Sequence, residues 1–285
     1  MRIDVALRAG TDQLRETSSS ARLDAEILLA HCLKKNRNYL YTWPEKQLTP
    51  RQSETFEATL LQRAELYPIA YITGYQEFWS LKLNVTPDVL IPRADTELLV
   101  ETALEKIQHQ AHPTILDLGT GSGAIAFALA TERPDSKIIA TDSSSAALII
   151  AEENRKALGI ENIQFIKSDW FSDVPLKQFD LVVSNPPYID PDDTHLKREI
   201  RHEPLQALIS ENNGLADLEQ IIKNAPQFLK EQSWLIVEHG YDQGKIVSAL
   251  LNEAAYEDVS CLSDFSGNDR INLGLKPNQP NPNTP

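Results

Sequence analysis

Apolar residues recur at helical spacing through the first 70 positions, with Ala25, Ile27, Leu28, Leu29, Cys32 and Leu33 in one segment and Phe56, Leu60, Leu61 and Ala64 in another. No run there alternates as a strand would. Thr49-Pro50 offers a cap and a first-turn proline for the later helix, with Glu54 close behind, and Pro68 and Gly74 close the region. Residues 1–74 are therefore expected to form a small all-helical domain. From Trp79 the period drops to two. Trp79, Leu81, Leu83 and Val85 share one face, and Val89 and Ile91 follow a Thr86-Pro87-Asp88 turn, which predicts a connecting β-hairpin over 75–92.

Beyond the hairpin, short β-branched runs at 114–118, 137–141, 162–166, 181–184 and 234–238 alternate with helical stretches near 123–132, 144–158, 215–230 and 241–254. Strand-helix alternation predicts an α/β domain over 93–276, a doubly wound, Rossmann-like parallel sheet. The pair at 256–262 and 270–275 has no intervening helix and carries a Ser266-Gly267-Asn268-Asp269 turn, so it is expected as an antiparallel hairpin at the sheet edge. Residues 277–285, rich in proline and asparagine, are expected to be a disordered tail.

Composition narrows the classes without changing this outline. The chain has 285 residues, 41% hydrophobic and 24% charged, enough for two packed domains and unlike a disordered or fibrous sequence. The opening MRIDVALRAG has no apolar signal core, and no run approaches the roughly 18 apolar residues of a membrane span, so a cytoplasmic address is expected. Cys32 and Cys261 lie far apart with no ligand-spaced neighbours, which indicates neither a disulfide framework nor a metal site. Charge is uneven: residues 1–85 hold 11 basic and 10 acidic side chains, whereas 86–285 hold 16 and 31. An acidic second part is repelled by phosphate backbones and suits a basic protein partner, so no direct nucleic-acid binding is expected.

The chemistry concentrates where predicted strands end. Gly119-Thr120-Gly121-Ser122-Gly123 follows the first strand of the α/β part and opens a helix. Its G-x-G-x-G spacing departs from the G-x-G-x-x-G of dinucleotide folds, which argues against NAD. Exposed amides at such a helix start still suit the carboxylate of an adenosyl cofactor that lacks phosphates. Asp142 ends the second strand about twenty residues on, where a carboxylate accepts hydrogen bonds from ribose hydroxyls. After the third strand, Asp169 offers an acceptor for an adenine amino group and Trp170 a face for the ring. Taken singly, each has a bland reading: a structural turn, a helix cap, a core tryptophan. Three successive strand ends together describe adenosine.

The fourth strand ends in Asn185-Pro186-Pro187-Tyr188. Two prolines stiffen the segment and remove its N–H donors, leaving carbonyl oxygens to accept. The Asn185 side chain and the Pro186 carbonyl fit the two protons of a planar NH2 group, with Tyr188 against its plane. Amide nitrogen is a poor nucleophile, so such a site must hold it close to a strong electrophile such as a sulfonium methyl.

With DLGTGSGAIA, SDW and NPPY in order, the chain resembles the class I S-adenosylmethionine methyltransferases that act on NH2 nitrogens. Ile91-Pro92-Arg93-Ala94-Asp95-Thr96-Glu97, His202-Glu203-Pro204, Ala207-Leu208 and Glu238-His239-Gly240 make it similar to one branch, the HemK/PrmC-type peptide chain release factor glutamine methyltransferases, over residues 20–275. The resemblance implies methylation of the glutamine of the Gly-Gly-Gln motif of class-one release factors. It implies that residues 119–123, Asp142, Asp169, Trp170 and Asn185 line the cofactor, that Asn185, Pro186, Pro187 and Tyr188 hold the glutamine with Asn185, Pro186 and Tyr188 catalytic, and that the N-terminal helices grip the release factor. Arg93 is a further candidate for the substrate, against the plainer reading that it pairs with Asp95 or Glu97. Ala94 departs from the usual proline, and His202 from a common aromatic. Asp190, Asp192 and Asp193 read as a solvated acidic run, and Glu238 and His239 as a pair that satisfies itself. A monomer is expected. The competing readings are a glutamine methyltransferase of a large-subunit ribosomal protein, an adenine-N6 nucleic-acid methyltransferase, and a non-catalytic cofactor sensor.

Overall fold

The computed structural model describes residues 1–175, 178–193 and 200–278. They fall into two compact units, the first made of Met1–Tyr75 with residues 200–202 and the second of the remaining described residues. The expected tail at 277–285 lies, from residue 279 on, outside the described residues.

The first unit holds α1 (Ile3–Leu14), α2 (Ala21–Leu33), α3 (Arg37–Thr42), α4 (Pro50–Ala64) and α5 (Ile69–Thr73). Its core is the apolar stripe of the sequence: Ile3, Leu7 and Leu14 of α1 meet Leu28 and Leu29 of α2 and Phe56 and Leu60 of α4. Each such fully buried side chain contributes about 1.5–3 kcal/mol. Helix α4 starts at Thr49 as expected, but its capping box closes through Gln52 rather than Glu54. Thr49 Oγ1 accepts from Gln52 N at 3.2 Å, and Gln52 Oε1 accepts from Thr49 N at 2.9 Å.

The connecting hairpin is shorter and turns earlier than its alternation predicts. Strands β1 (Tyr75–Phe78) and β2 (Leu81–Asn84) are joined at Trp79 and Ser80, both at positive φ (51° and 60°), as a type I′ turn requires. Neither residue is typical turn chemistry. The turn is held by Trp79 N donating to Glu97 Oε1 (2.8 Å) and Trp79 Nε1 donating to Glu132 Oε1 (2.8 Å). Thr86–Asp88 is a local turn closed by Val89 N to Thr86 O at 3.1 Å, and the following Val89 and Ile91 are buried without forming a strand.

Helix α6 (Glu97–Lys106), absent from the sequence expectation, precedes β3 (Thr114–Leu118), α7 (Ala124–Glu132), β4 (Lys137–Asp142), α8 (Ser145–Leu158), β5 (Ile163–Lys167) and β6 (Phe179–Ser184). Then come the short α9 (Glu211–Gly214), α10 (Ala216–Asn224), β7 (Leu229–Glu238), α11 (Gly244–Glu253), β8 (Glu257–Ser263) and β9 (Asp269–Leu275). The helix expected to run to 230 stops at 224 because Pro226 cannot continue it, and β7 begins five residues earlier than its apolar run, at Leu229. The sheet order is β5-β4-β3-β6-β7-β9-β8. The first five strands pair in parallel, and β9 pairs antiparallel with both β7 and the edge strand β8.

Alternation along the strands supplies two cores. Ile115, Ile138, Leu181 and Ile236 pack with α6 and α7 on one face. Leu116, Leu118, Val182, Leu235 and Val237 pack with α10 and α11 on the other. Strand β3 lies between β4 and β6, where the strand order reverses, so a crevice opens at the carboxyl ends of these three strands. Among the described residues no helix is long and apolar enough to cross a membrane.

Candidate active site

The glycine loop leaves β3 and is pinned from below. Thr120 N donates to Thr141 O and Gly123 N to Thr120 O, both at 2.8 Å, and Thr120 Oγ1 donates to Asp117 Oδ2 at 2.6 Å. Asp117 is fully buried, with Thr120 its one side-chain partner among the described residues. Burial pushes its carboxyl up to about 7, and the nearby Asp142 adds to the rise.

Asp142, at the end of β4, accepts from Gly121 N through Oδ2 and from Ser144 N through Oδ1, both at 2.8 Å. It shapes the loop and is not the cap of α8, a role taken by Ser144, whose Oγ accepts from Ala147 N. Burial raises the Asp142 carboxyl too, although each oxygen keeps lone-pair capacity for a further donor. Past β5, Ser168 Oγ donates to Trp170 O (2.8 Å) and accepts from Asp173 N (3.0 Å), which holds Trp170 at a φ of 46°. The indole faces Gly119, and its Nε1 donates to Asp217 Oδ1 at 3.1 Å.

At the end of β6, Asn185 Nδ2 donates to Thr96 Oγ1 (3.1 Å), and Thr96 Oγ1 donates to Glu238 Oε2 (2.7 Å). Tyr188 Oη donates to the other oxygen of Glu238 (3.2 Å). Burial pushes the Glu238 carboxyl up to about 7 and raises the Tyr188 phenol.

A cavity of about 340 Å³ opens over these strand ends. Gly119, Gly121, Asp142, Asp169, Trp170, Asn185 and Pro187 line it, so seven of the residues singled out in the sequence converge from β3, β4, β5 and β6. The others lie outside its lining. Thr120 faces Asp117, Ser122 is buried with its carbonyl accepting from Asn154 Nδ2 (3.0 Å), and Gly123 caps α7. Pro186 is buried, and Tyr188 reaches Glu238. Arg93 pairs with the buried Glu203 rather than with Asp95 or Glu97. Glu238 and His239 do not satisfy each other: Glu238 accepts from Thr96 and Tyr188, and His239, just past the end of β7, donates through Nδ1 to Gly240 O at 2.8 Å. Asp192 N donates to Asp190 Oδ1, so the acidic run includes a local turn.

Sequence reasoning missed four contributors. Asp117 reads as a strand residue, yet a carboxylate in an apolar run is itself a signal. Asp217 lies in α10, remote in sequence from Trp170. Thr96 and Glu238 lie within the motifs that carry the resemblance but receive no part from the sequence, since only the fold brings residues 142 positions apart into contact.

A model described as the PrmC N-terminal domain matches residues 5–74, and a methyltransferase domain model matches 109–271. A release factor glutamine methyltransferase of Escherichia coli is 46% identical over 94% of this chain and 96% of its own. One of Vibrio cholerae is 47% identical over 95% and 96%. A methyltransferase of Pyrococcus furiosus superposes with a TM-score of 0.52 at 17% identity, covering 69% of this chain and 89% of its own, a likeness of fold.

Proposed function

The chain belongs to the release factor glutamine methyltransferase family, and from that premise we propose that it transfers a methyl group from S-adenosylmethionine to the side-chain amide nitrogen, N5, of the Gly-Gly-Gln glutamine of class-one release factors. The observation that carries this reading is the convergence of Asn185 and Pro187 with Gly119, Gly121, Asp142 and Trp170 on one cavity. Relatives at 46–47% identity bear the release-factor name, which does not favour the ribosomal-protein or adenine-N6 alternatives.

The residues present fit the cofactor. A side chain at Gly121 would meet no atom of the described residues within 4 Å, so the loop leaves room. Asp142 would hold ribose hydroxyls, Asp169 and Trp170 the adenine, and the loop the methionine end. When bound, the cofactor supplies an electrophilic methyl on a sulfonium.

The chain's own part is to hold the acceptor. Asn185 Oδ1 and the Pro186 carbonyl accept the two N–H bonds of the glutamine amide, and the paired prolines stiffen the backbone that carries them before the acceptor arrives. Accepting both hydrogens favours pyramidalisation at nitrogen and aims its lone pair at the methyl. Neither oxygen is a strong base, so the proton that nitrogen sheds passes to water as the N–C bond completes. The helical unit, residues 1–74, grips the release factor, and the acidic second part suits a basic partner surface rather than nucleic acid. Such a monomeric enzyme would work in the cytoplasm.

The test is mass spectrometry of an intact release factor and of ribosomal proteins after incubation with labelled S-adenosylmethionine. A single labelled methyl on the Gly-Gly-Gln glutamine is expected, lost by about 100-fold or more in Asn185→Ala with cofactor affinity retained. Label on a ribosomal protein, or none on any protein, overturns the reading.

A further inference from the structure

An asparagine side chain presents a carbonyl on one side and an NH2 on the other, and only the carbonyl can accept from an amide acceptor. The acceptor site therefore works only if the Asn185 amide is held one way round. The groups behind it supply that direction. Glu238 is 1% exposed and accepts from two hydroxyls, Thr96 Oγ1–H through Oε2 (2.7 Å) and Tyr188 Oη–H through Oε1 (3.2 Å). Above a pH of about 7, where it is ionised, the carboxylate has no hydrogen to give, so the one hydroxyl hydrogen of Thr96 is committed to it. Thr96 Oγ1 then faces Asn185 as an acceptor, and the atom 3.1 Å away must be Nδ2. Thr96 is 4% exposed, so its hydroxyl is shielded from solvent.

We propose that Thr96 and Glu238 are positioning residues that fix the flip of the Asn185 amide, so that Oδ1 faces the acceptor nitrogen and the site selects an NH2 group over a carboxylate. The proposal rests on the glutamine-methyltransferase reading for the identity of the acceptor, but the direction of the relay does not. Glu238→Gln breaks the one-way chain, because a primary amide both donates and accepts. Thr96→Val keeps shape and removes the hydroxyl, leaving Asn185 free to turn. Thr96→Ser keeps the hydroxyl.

Two measurements test this, both at about pH 8, where a carboxyl titrating near 7 is ionised. In 15N-labelled protein the side-chain NH2 of Asn185 should exchange its hydrogens slowly in the wild type and in Thr96→Ser and faster in Thr96→Val; fast exchange in the wild type overturns the proposal whatever the acceptor is. In methylation assays Thr96→Val and Glu238→Gln should lower kcat by about 10- to 100-fold with S-adenosylmethionine affinity within about twofold, and Thr96→Ser should restore most of the rate. Both variants should also lose the wild-type preference for a Gly-Gly-Gln over a Gly-Gly-Glu peptide in binding. Wild-type kcat and preference in a folded Thr96→Val or Glu238→Gln would refute the relay, whereas failure of the family reading would show separately as an unmethylated release factor with the wild-type enzyme.

Discussion

Two glycines in one loop should respond very differently to the same added methyl group. Gly121 has a φ of +57° and a Cβ there would meet no atom within 4 Å, whereas Gly123 has a φ of +90° and a Cβ there would stand 2.2 Å from Phe127 Cε2 and 2.8 Å from Cδ2. Alanine at either position carries the left-handed backbone penalty of about 1–2 kcal/mol. At Gly123 the Phe127 ring must also move, yet it is fully buried and packed edge-on against Phe165 with centroids 6.0 Å apart. Overpacking of that kind adds about 1–3 kcal/mol. Gly123→Ala should therefore cost about 2–5 kcal/mol and Gly121→Ala about 1–2 kcal/mol, a separation of several degrees in Tm. Calorimetry on both variants reads the difference, and titration with S-adenosylmethionine reads the second half of the argument. The Gly121→Ala methyl stands in the cavity and should weaken cofactor binding, while folded Gly123→Ala should bind nearly as the wild type does. Equal losses of stability, or a Gly123→Ala protein as stable as the wild type, would refute the assignment of Phe127 as the obstacle.

Other perturbations follow from single contacts. Asp142→Ala removes the acceptor for Gly121 N and Ser144 N, and should weaken S-adenosylmethionine binding by about tenfold or more in calorimetric titration with about 1–2 kcal/mol lost in stability. Asp117 has a folded pKa raised from 3.8 to about 7, so its contribution is fully favourable below about pH 4 and is lost progressively as pH rises from there through 7, amounting to about 4 kcal/mol. Urea unfolding of Asp117→Asn should accordingly lack that decline; curves parallel to the wild type from acid to alkaline pH would contradict it. Arg93→Ala leaves the buried Glu203, among the described residues, with only the Ile91 N–H and should cost about 1–3 kcal/mol, discounted because Arg93 is partly exposed. If Arg93 also meets the release factor, KM should rise in the folded variant; an unchanged KM would confine it to the ion pair.

Strands such as β3 and β6 were legible because a strand buried on both faces reads as a continuous apolar run. The start of β7 was not, since Lys230, Glu231 and Gln232 interrupt that run where the ladder with β6 is itself irregular, Leu229 standing opposite Phe179 and Trp234 opposite Leu181. The hairpin turn escaped because Trp79 and Ser80 hold positive φ through side chains at Glu97 and Glu132, partners that no local rule anticipates. The site divides the same way. Gly119, Gly121, Asp142, Trp170 and Asn185 stand at strand ends, where topology alone gathers them. Thr96 and Glu238 acquire meaning only through a contact across the fold.

Trp170 gives the molecule an optical consequence. Of the four tryptophans, it is the one that lines the described cavity, with its ring beside Gly119 and its N–H tied to Asp217. Whatever occupies that space changes the polarity around the indole, and with it the emission. Replacing Trp43, Trp79 and Trp234 by phenylalanine would leave one tryptophan, whose emission, excited to the red of the eight tyrosines, gauges occupancy of the cavity directly, without label or turnover.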